Sequence, residues 1–173
     1  TVMNENYAHP AMPAGAEAGI LKGMYRFRQG GPGQGPRVQL LGSGSILNEV
    51  IAAADLLKKD WGVEADIWSC PSFTLLARDG IEAARWNLLH PTSEPRKPYV
   101  QQCLENAEGP VIASTDYVRA YADQIRPYLG APYKVLGTDG FGRSDTREKL
   151  RHFFEVDRHR VTVASLAALA EQK

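Results

Sequence analysis

A four-residue turn, Gly42, Ser43, Gly44 and Ser45, joins an apolar run to a helical repeat and restricts this chain more than any other stretch. In RVQLLGSGSILNEV at 37–50, Val38, Leu40 and Leu41 make a run of strand length. After the turn, Leu47, Val50, Ile51, Ala54 and Leu57 recur at three- and four-residue steps, which places them on one helix face. The pattern predicts a buried strand at 37–42 passing into a helix over 46–60. Ser45 is expected to cap the first turn, and the glycines to supply dihedrals that a Cβ forbids. Strand, glycine turn and helix form the basic step of an α/β sheet.

The remaining pattern repeats that step. Met24 to Arg28 alternates apolar and basic residues, the period of a strand with one wet face. Glycines and prolines at 30–36 make a flexible loop. Apolar runs at 63–69, 110–114 and 132–137 read as further strands, and a short helical turn is expected at 15–21. Between them lie a helix over 73–89 interrupted at Asp79 and Gly80, and a proline-rich loop at 90–98. A short helix is expected near 99–105. Tyr117, Tyr121, Ile125 and Tyr128 share a face of the next helix, capped near Ser114, Thr115 and Asp116. Ser144 or Asp145, with Glu148 three residues on, is expected to cap a helix that buries Leu150, Phe153 and Phe154. Asp157 is expected to cap a last helix over 163–171 with Leu166, Leu169 and Ala170 inward.

Several function classes are excluded by the totals. Twenty basic and twenty acidic residues cancel, so the charge calls for neither nucleic acid nor an acidic membrane as partner. No apolar run approaches the length of a membrane span. Two cysteines and four scattered histidines give neither a disulfide framework nor metal-ligand spacing, and a reducing cytoplasmic setting fits. The opening stretch TVMNENYAHPAMPAG carries Pro10 and Pro13 without a period, and reads as an arm belonging to polypeptide upstream.

Gly42, Ser43, Gly44 and Ser45 are the candidate anion-binding residues. A glycine turn at a helix start gathers free N–H groups at the positive end of the dipole. Against this stands a turn chosen only for close strand–helix packing. The turn lacks both the third glycine of the dinucleotide fingerprint and the lysine of a phosphate loop. Arg143, Arg147 and Arg151 step by four and can clamp an anion, or can pair with Glu148 and Glu155. Asp139, Asp145 and Asp157 are explained as turn and cap residues. Cys70 and Cys103 have no positioned base and read as inert. His90, His152 and His159 read as solvated, capping or interface groups, leaving His9 as the histidine nearest any upstream active centre.

LGTDGFGRSDTREKLRHFFEVD at 136–157 is the most specific segment. Together with LLGSGSIL at 40–47, ARDG at 77–80, RWNLLHP at 85–91 and ASTDY at 113–117, it resembles a known family. That family is the C-terminal domain of homodimeric pyruvate dehydrogenases (acetyl-transferring), and the likeness begins at NENYAHPAMP, 4–13. It implies a transketolase C-terminal fold: an α/β three-layer α/β/α sandwich on a five-stranded mixed sheet of order 1-3-2-4-5, strand 1 antiparallel. Residues 1–14 would be the tail of a pyrimidine-binding domain with its linker, and 15–173 the C-terminal domain.

The parent of that family decarboxylates pyruvate with thiamine diphosphate and magnesium and acetylates the lipoyl arm of an acetyltransferase. It works as a homodimer, with no nucleic acid or membrane partner. Its cofactor motif, Gly-Asp-Gly with a later Asn, has no match here: Thr138, Asp139 and Gly140 lack the leading glycine. No catalytic, metal-binding or cofactor-binding residue is therefore assigned. A domain giving dimer contacts and support, with no cofactor on this segment, is the expectation. A regulatory module binding small molecules or anions through the GSGS turn is the alternative.

Overall fold

The structure is a computed structural model in which residues 6–33 and 35–172 are described; the first five residues of the predicted arm lie outside them. In chain order the elements are α1 (Glu17–Lys22), β1 (Tyr25–Arg28), β2 (Arg37–Gly42), α2 (Leu47–Trp61), β3 (Glu64–Ser69), α3 (Phe73–Leu89) and α4 (Tyr99–Leu104). There follow β4 (Val111–Ser114), α5 (Arg119–Asp123), β5 (Tyr133–Leu136), α6 (Arg147–Phe153) and α7 (Arg158–Ala170). The five strands form one sheet of order β1-β3-β2-β4-β5, with β1 antiparallel to β3 and the others parallel. This is the expected order.

Alternation along the strands feeds two cores. Val38, Leu40, Ala65, Ile67 and Ile112 pack on one face against Val50, Ala54 and Leu57 of α2 and Val161 and Ala168 of α7. Leu41, Trp68, Val111, Ala113 and Tyr133 pack on the other against Phe73 and Leu76 of α3 and Ala122 of α5. A sheet covered on both faces needs such apolar runs, and the result is three layers.

The second core also holds a polar hub that the strand pattern hides. Gln39 is fully buried; its amide donates to Asp66 Oδ2 (2.9 Å) and to the Glu108 carbonyl (3.0 Å), and its Oε1 accepts from Trp68 Nε1 (2.9 Å). Register puts Gln39 opposite Asp66 and two residues from the Leu41–Trp68 pair, so the strands themselves bring these groups together.

Local expectations depart from the structure at named places. Helix α3 runs unbroken through Asp79 and Gly80. Asp79 accepts the Tyr99 backbone N–H (2.6 Å), and a Cβ at Gly80 would overlap the Tyr128 ring, so both residues serve packing. The tyrosine stripe is no single helix: a five-residue α5 gives way to a 3₁₀ turn at Arg126–Tyr128, where Pro127 has no N–H to continue an α-helix. No residue of α6 is buried, and Phe153 is 51% exposed. Asp157 does cap α7, accepting from Arg160 N (2.8 Å), but that helix starts at Arg158 and turns Val161, Thr162, Ser165 and Ala168 inward. Leu166 and Leu169 are only half-buried, and Ala170 is exposed.

Candidate functional site

The carboxyl ends of β2 and β4 lie side by side, Gly42 opposite Ser114, where the chain departs from β2 toward β3 on one flank and β4 on the other. Such a crevice is where open α/β sheets bind ligands. The two glycines of the turn have different reasons. A Cβ on Gly42 would lie 2.9 Å from Leu47 Cα, so this position brings the strand end against α2. Gly44 has φ +55° and open space around it. A 3₁₀ turn over Gly44–Ile46 precedes α2 and carries no side-chain cap.

Ser45 therefore does not cap. Its hydroxyl donates to Asp116 Oδ2 (2.7 Å), a stronger acceptor than a hydroxyl's usual partners, and accepts from Arg151 Nη2 (3.2 Å). The Ser43 hydroxyl shares a hydrogen bond with Thr115 Oγ1 at 2.8 Å. Both hydroxyls of the candidate anion turn thus face protein partners. Beside them the fully buried Ser114 Oγ has no hydrogen-bond partner among the described residues.

Sequence reading missed the centre of the charge network. Glu49, 6% exposed in the first turn of α2, accepts from Arg151 Nη1 (3.0 Å), Arg158 Nε (2.9 Å), Arg158 Nη2 (3.1 Å) and the Arg158 backbone N–H (3.0 Å). Burial raises the pKa of this carboxyl, but the bonds and charge of Arg158, then of Arg151, outweigh it and hold the group below its ordinary range. The predicted arginine face does not exist as drawn. Arg143 precedes α6 and lies 4.0 Å over the Phe153 ring, while Arg147 lies 4.7 Å over Tyr7. Glu155 pairs with Arg160 (3.7 Å) instead. A carboxylate in the first turn of an apolar helix was the available signal for Glu49, but its partners stand more than 100 residues away.

The loop after β5 closes over this end. Thr138 donates its backbone N–H to Tyr117 O (2.9 Å) and its hydroxyl to Asp116 O. Asp139 accepts from the N–H of Arg119 (2.9 Å) and pairs with its Nε (3.1 Å), a tie to the start of α5 from 20 residues away. Asp145 accepts from Thr146 N (2.7 Å) rather than capping α6 through a box with Glu148. A cleft of 390 Å³ remains between this loop and α6.

The other tempting residues stand apart. His90 stacks on Trp86 (4.3 Å) and hydrogen-bonds its carbonyl; His152 meets Asp157 at 3.2 Å; His9 and His159 are exposed. Cys70 is fully buried, and desolvation, then the neighbouring Cys103, pushes its thiol well up. Desolvation also raises Cys103, although Tyr99 and Lys22 oppose the shift. A thiol reagent at neutral pH is expected to label Cys103 slowly and Cys70 only on unfolding, as mass spectrometry of the labelled chain would read. Fast native labelling of Cys70 contradicts that assignment.

The family described as the transketolase-like C-terminal domain matches residues 23–157. The chain belongs to that family. This transketolase-like domain is 69% identical over 173 residues to the "Pyruvate dehydrogenase E1 component" of Cupriavidus necator and 60% identical to that of Pseudomonas aeruginosa. It is 56% identical over 175 residues to that of Escherichia coli K12. Each match takes in 99% of this chain, but only 19%, 20% and 19% of those relatives, so the domain spans about a fifth of their length.

Among solved structures, a transketolase from Leishmania mexicana superposes with a TM-score of 0.61 at 18% identity, over 89% of this chain and 19% of that one. A split-gene transketolase described as an inactive β4 tetramer gives 0.57 at 14% identity, over 85% and 42%. At these identities the likeness speaks for the fold. Among the described residues no helix is long and apolar enough to cross a membrane.

Proposed function

We propose that this chain is the C-terminal domain of the E1 component of a pyruvate dehydrogenase complex. The observation that carries the proposal is 69% identity over 173 residues, a match that takes in 99% of the chain. The parent oxidatively decarboxylates pyruvate with thiamine diphosphate and passes the acetyl group to the lipoyl arm of an acetyltransferase, in the cytoplasm and as a homodimer. Residues 1–14 end the pyrimidine-binding domain and its linker; 15–173 support that domain and contribute dimer contacts. Docking of the arm favours this division: Asn48 donates to Ala8 O (3.2 Å), and Arg147 and Arg151 flank Tyr7. Exposed Ile81, Leu88 and Leu89 on α3 supply apolar surface for a partner.

Thiamine diphosphate supplies carbanion stabilisation in the parent. The residues of this domain do not fit it or its magnesium. Asp139, the one carboxylate in a motif-like setting, is engaged by Arg119, and no three metal-ligating side chains converge among the described residues. The purified 173-residue chain is therefore expected to fold and to leave pyruvate untouched when thiamine diphosphate and magnesium are added. A parent enzyme lacking these residues is expected to lose dimer formation and activity together, read by sedimentation and pyruvate consumption. Turnover by the isolated chain, or a fully active truncated dimer, overturns the assignment.

A further inference from the structure

We propose that the cleft between the 137–146 loop and α6 binds a small phosphomonoester with a hydroxylated body. Its 390 Å³ falls in the range of small-ligand sites. One wall is apolar, made by Leu150, Phe154 and Val156, and Gly140 and Gly142 open the loop side, each with free space where a Cβ would stand.

Polar groups of both signs line the cleft. Among the cations, Arg143 lies 4.0 Å over the Phe153 ring and forms no ion pair among the described residues. Stacking holds the planar guanidinium in place while leaving its donors for a ligand, the arrangement that suits phosphate. Arg151, which also lines the cleft, is fixed from behind by Glu49 and Ser45, and its buried Nε has no hydrogen-bond partner among the described residues. Arg147 also lines the cleft, where it lies over the Tyr7 ring.

Among the acceptors, Asp116 accepts from Ser45 with Oδ2, beside Arg151 on the same hydroxyl, and its other oxygen has no partner among the described residues. Asp145 also lines the cleft, its charge opposed by Lys149 at 3.7 Å. A phosphate offers terminal oxygens enough for more than one arginine, whereas a monocarboxylate satisfies a single fork. An open carboxylate oxygen beside the arginines calls for a hydroxyl donor on a body next to the phosphate group, and inorganic phosphate has no such body. The 42–45 turn enters as the back wall, through Ser45, rather than as the contact itself.

The test is calorimetric titration of the 173-residue chain, which carries an apolar core on each face of its sheet, with glycerol 3-phosphate, inorganic phosphate and acetate at low ionic strength. Glycerol 3-phosphate is expected to bind about tenfold or more tighter than either anion. Arg143→Gln, at an exposed position, is expected to weaken the ester about tenfold with the ligand-free melting temperature unchanged. Asp116→Asn retains an acceptor for Ser45 and is expected to abolish the preference for ester over phosphate. Equal affinity for ester and inorganic phosphate, no saturable binding of millimolar ester, or an Arg143→Gln variant that binds as the parent does overturns the proposal.

Discussion

Gly109→Ala is expected to destabilise this domain by about 4 kcal/mol, enough to unfold much of a protein of ordinary stability. Gly109 has φ +84°, and a Cβ placed there would overlap the carbonyl oxygen of Arg37 outright, with the Arg37 carbonyl carbon 2.7 Å away. Both neighbours are backbone and cannot rotate aside. Relief requires the chain entering β4 to move off β2, where Gln39 N donates to Pro110 O (2.9 Å) and the Gln39 amide holds Glu108 O (3.0 Å). Left-handed strain contributes about 1–3 kcal/mol and overpacking a similar amount. Gly44→Ala is the control, with φ +55° and nothing within 4 Å of the added methyl. Its loss is expected near 1 kcal/mol. Urea unfolding of the two variants separates steric overlap from dihedral strain; equal midpoints refute the overlap argument.

The sheet was legible because its strands are buried on both faces and spell themselves as apolar runs, each followed by helix-forming residues. The α2 stripe and the Asp157 cap were legible because each depends on residues within a few positions of one another. Where partners are distant, local pattern misleads. Asp79 and Gly80 look like a break, yet one holds Tyr99 and the other admits the Tyr128 ring. Burial then repays a helix-propensity loss of about 1 kcal/mol at the glycine. Phe153 looks like core and is instead a surface platform for Arg143. Ser45 looks like a cap because nothing near it in sequence announces Asp116, 71 residues on. The candidate anion turn was placed at the right end of the sheet, but the groups that surround the cleft come from the residue segment after β4, the 137–146 loop, α6 and the residues just after it.

Glu49→Ala is expected to cost about 3–5 kcal/mol, because it leaves a buried cation without its counter-charge. The penalty falls on Arg151, whose side chain is 14% exposed; Arg158, 46% exposed, can turn to water. The same substitution strips the acceptor from the Arg158 backbone N–H at the start of α7, so α6 and α7 each lose a polar tie to α2. Glu49→Gln keeps volume and one acceptor, and is expected to lose less. The pH dependence distinguishes charge from packing. The arginines hold the folded-state pKa below the ordinary 4.5, so the folded protein binds this proton more weakly than the unfolded chain. Stability from Glu49 is therefore complete above about pH 4.5 and is lost as pH falls through the lower folded-state value. Urea midpoints measured from neutral pH into acid should decline more steeply for the parent chain than for Glu49→Gln. Parallel curves would mean that the carboxylate contributes shape and no charge, and that α6 is held at the cleft by its apolar contacts alone.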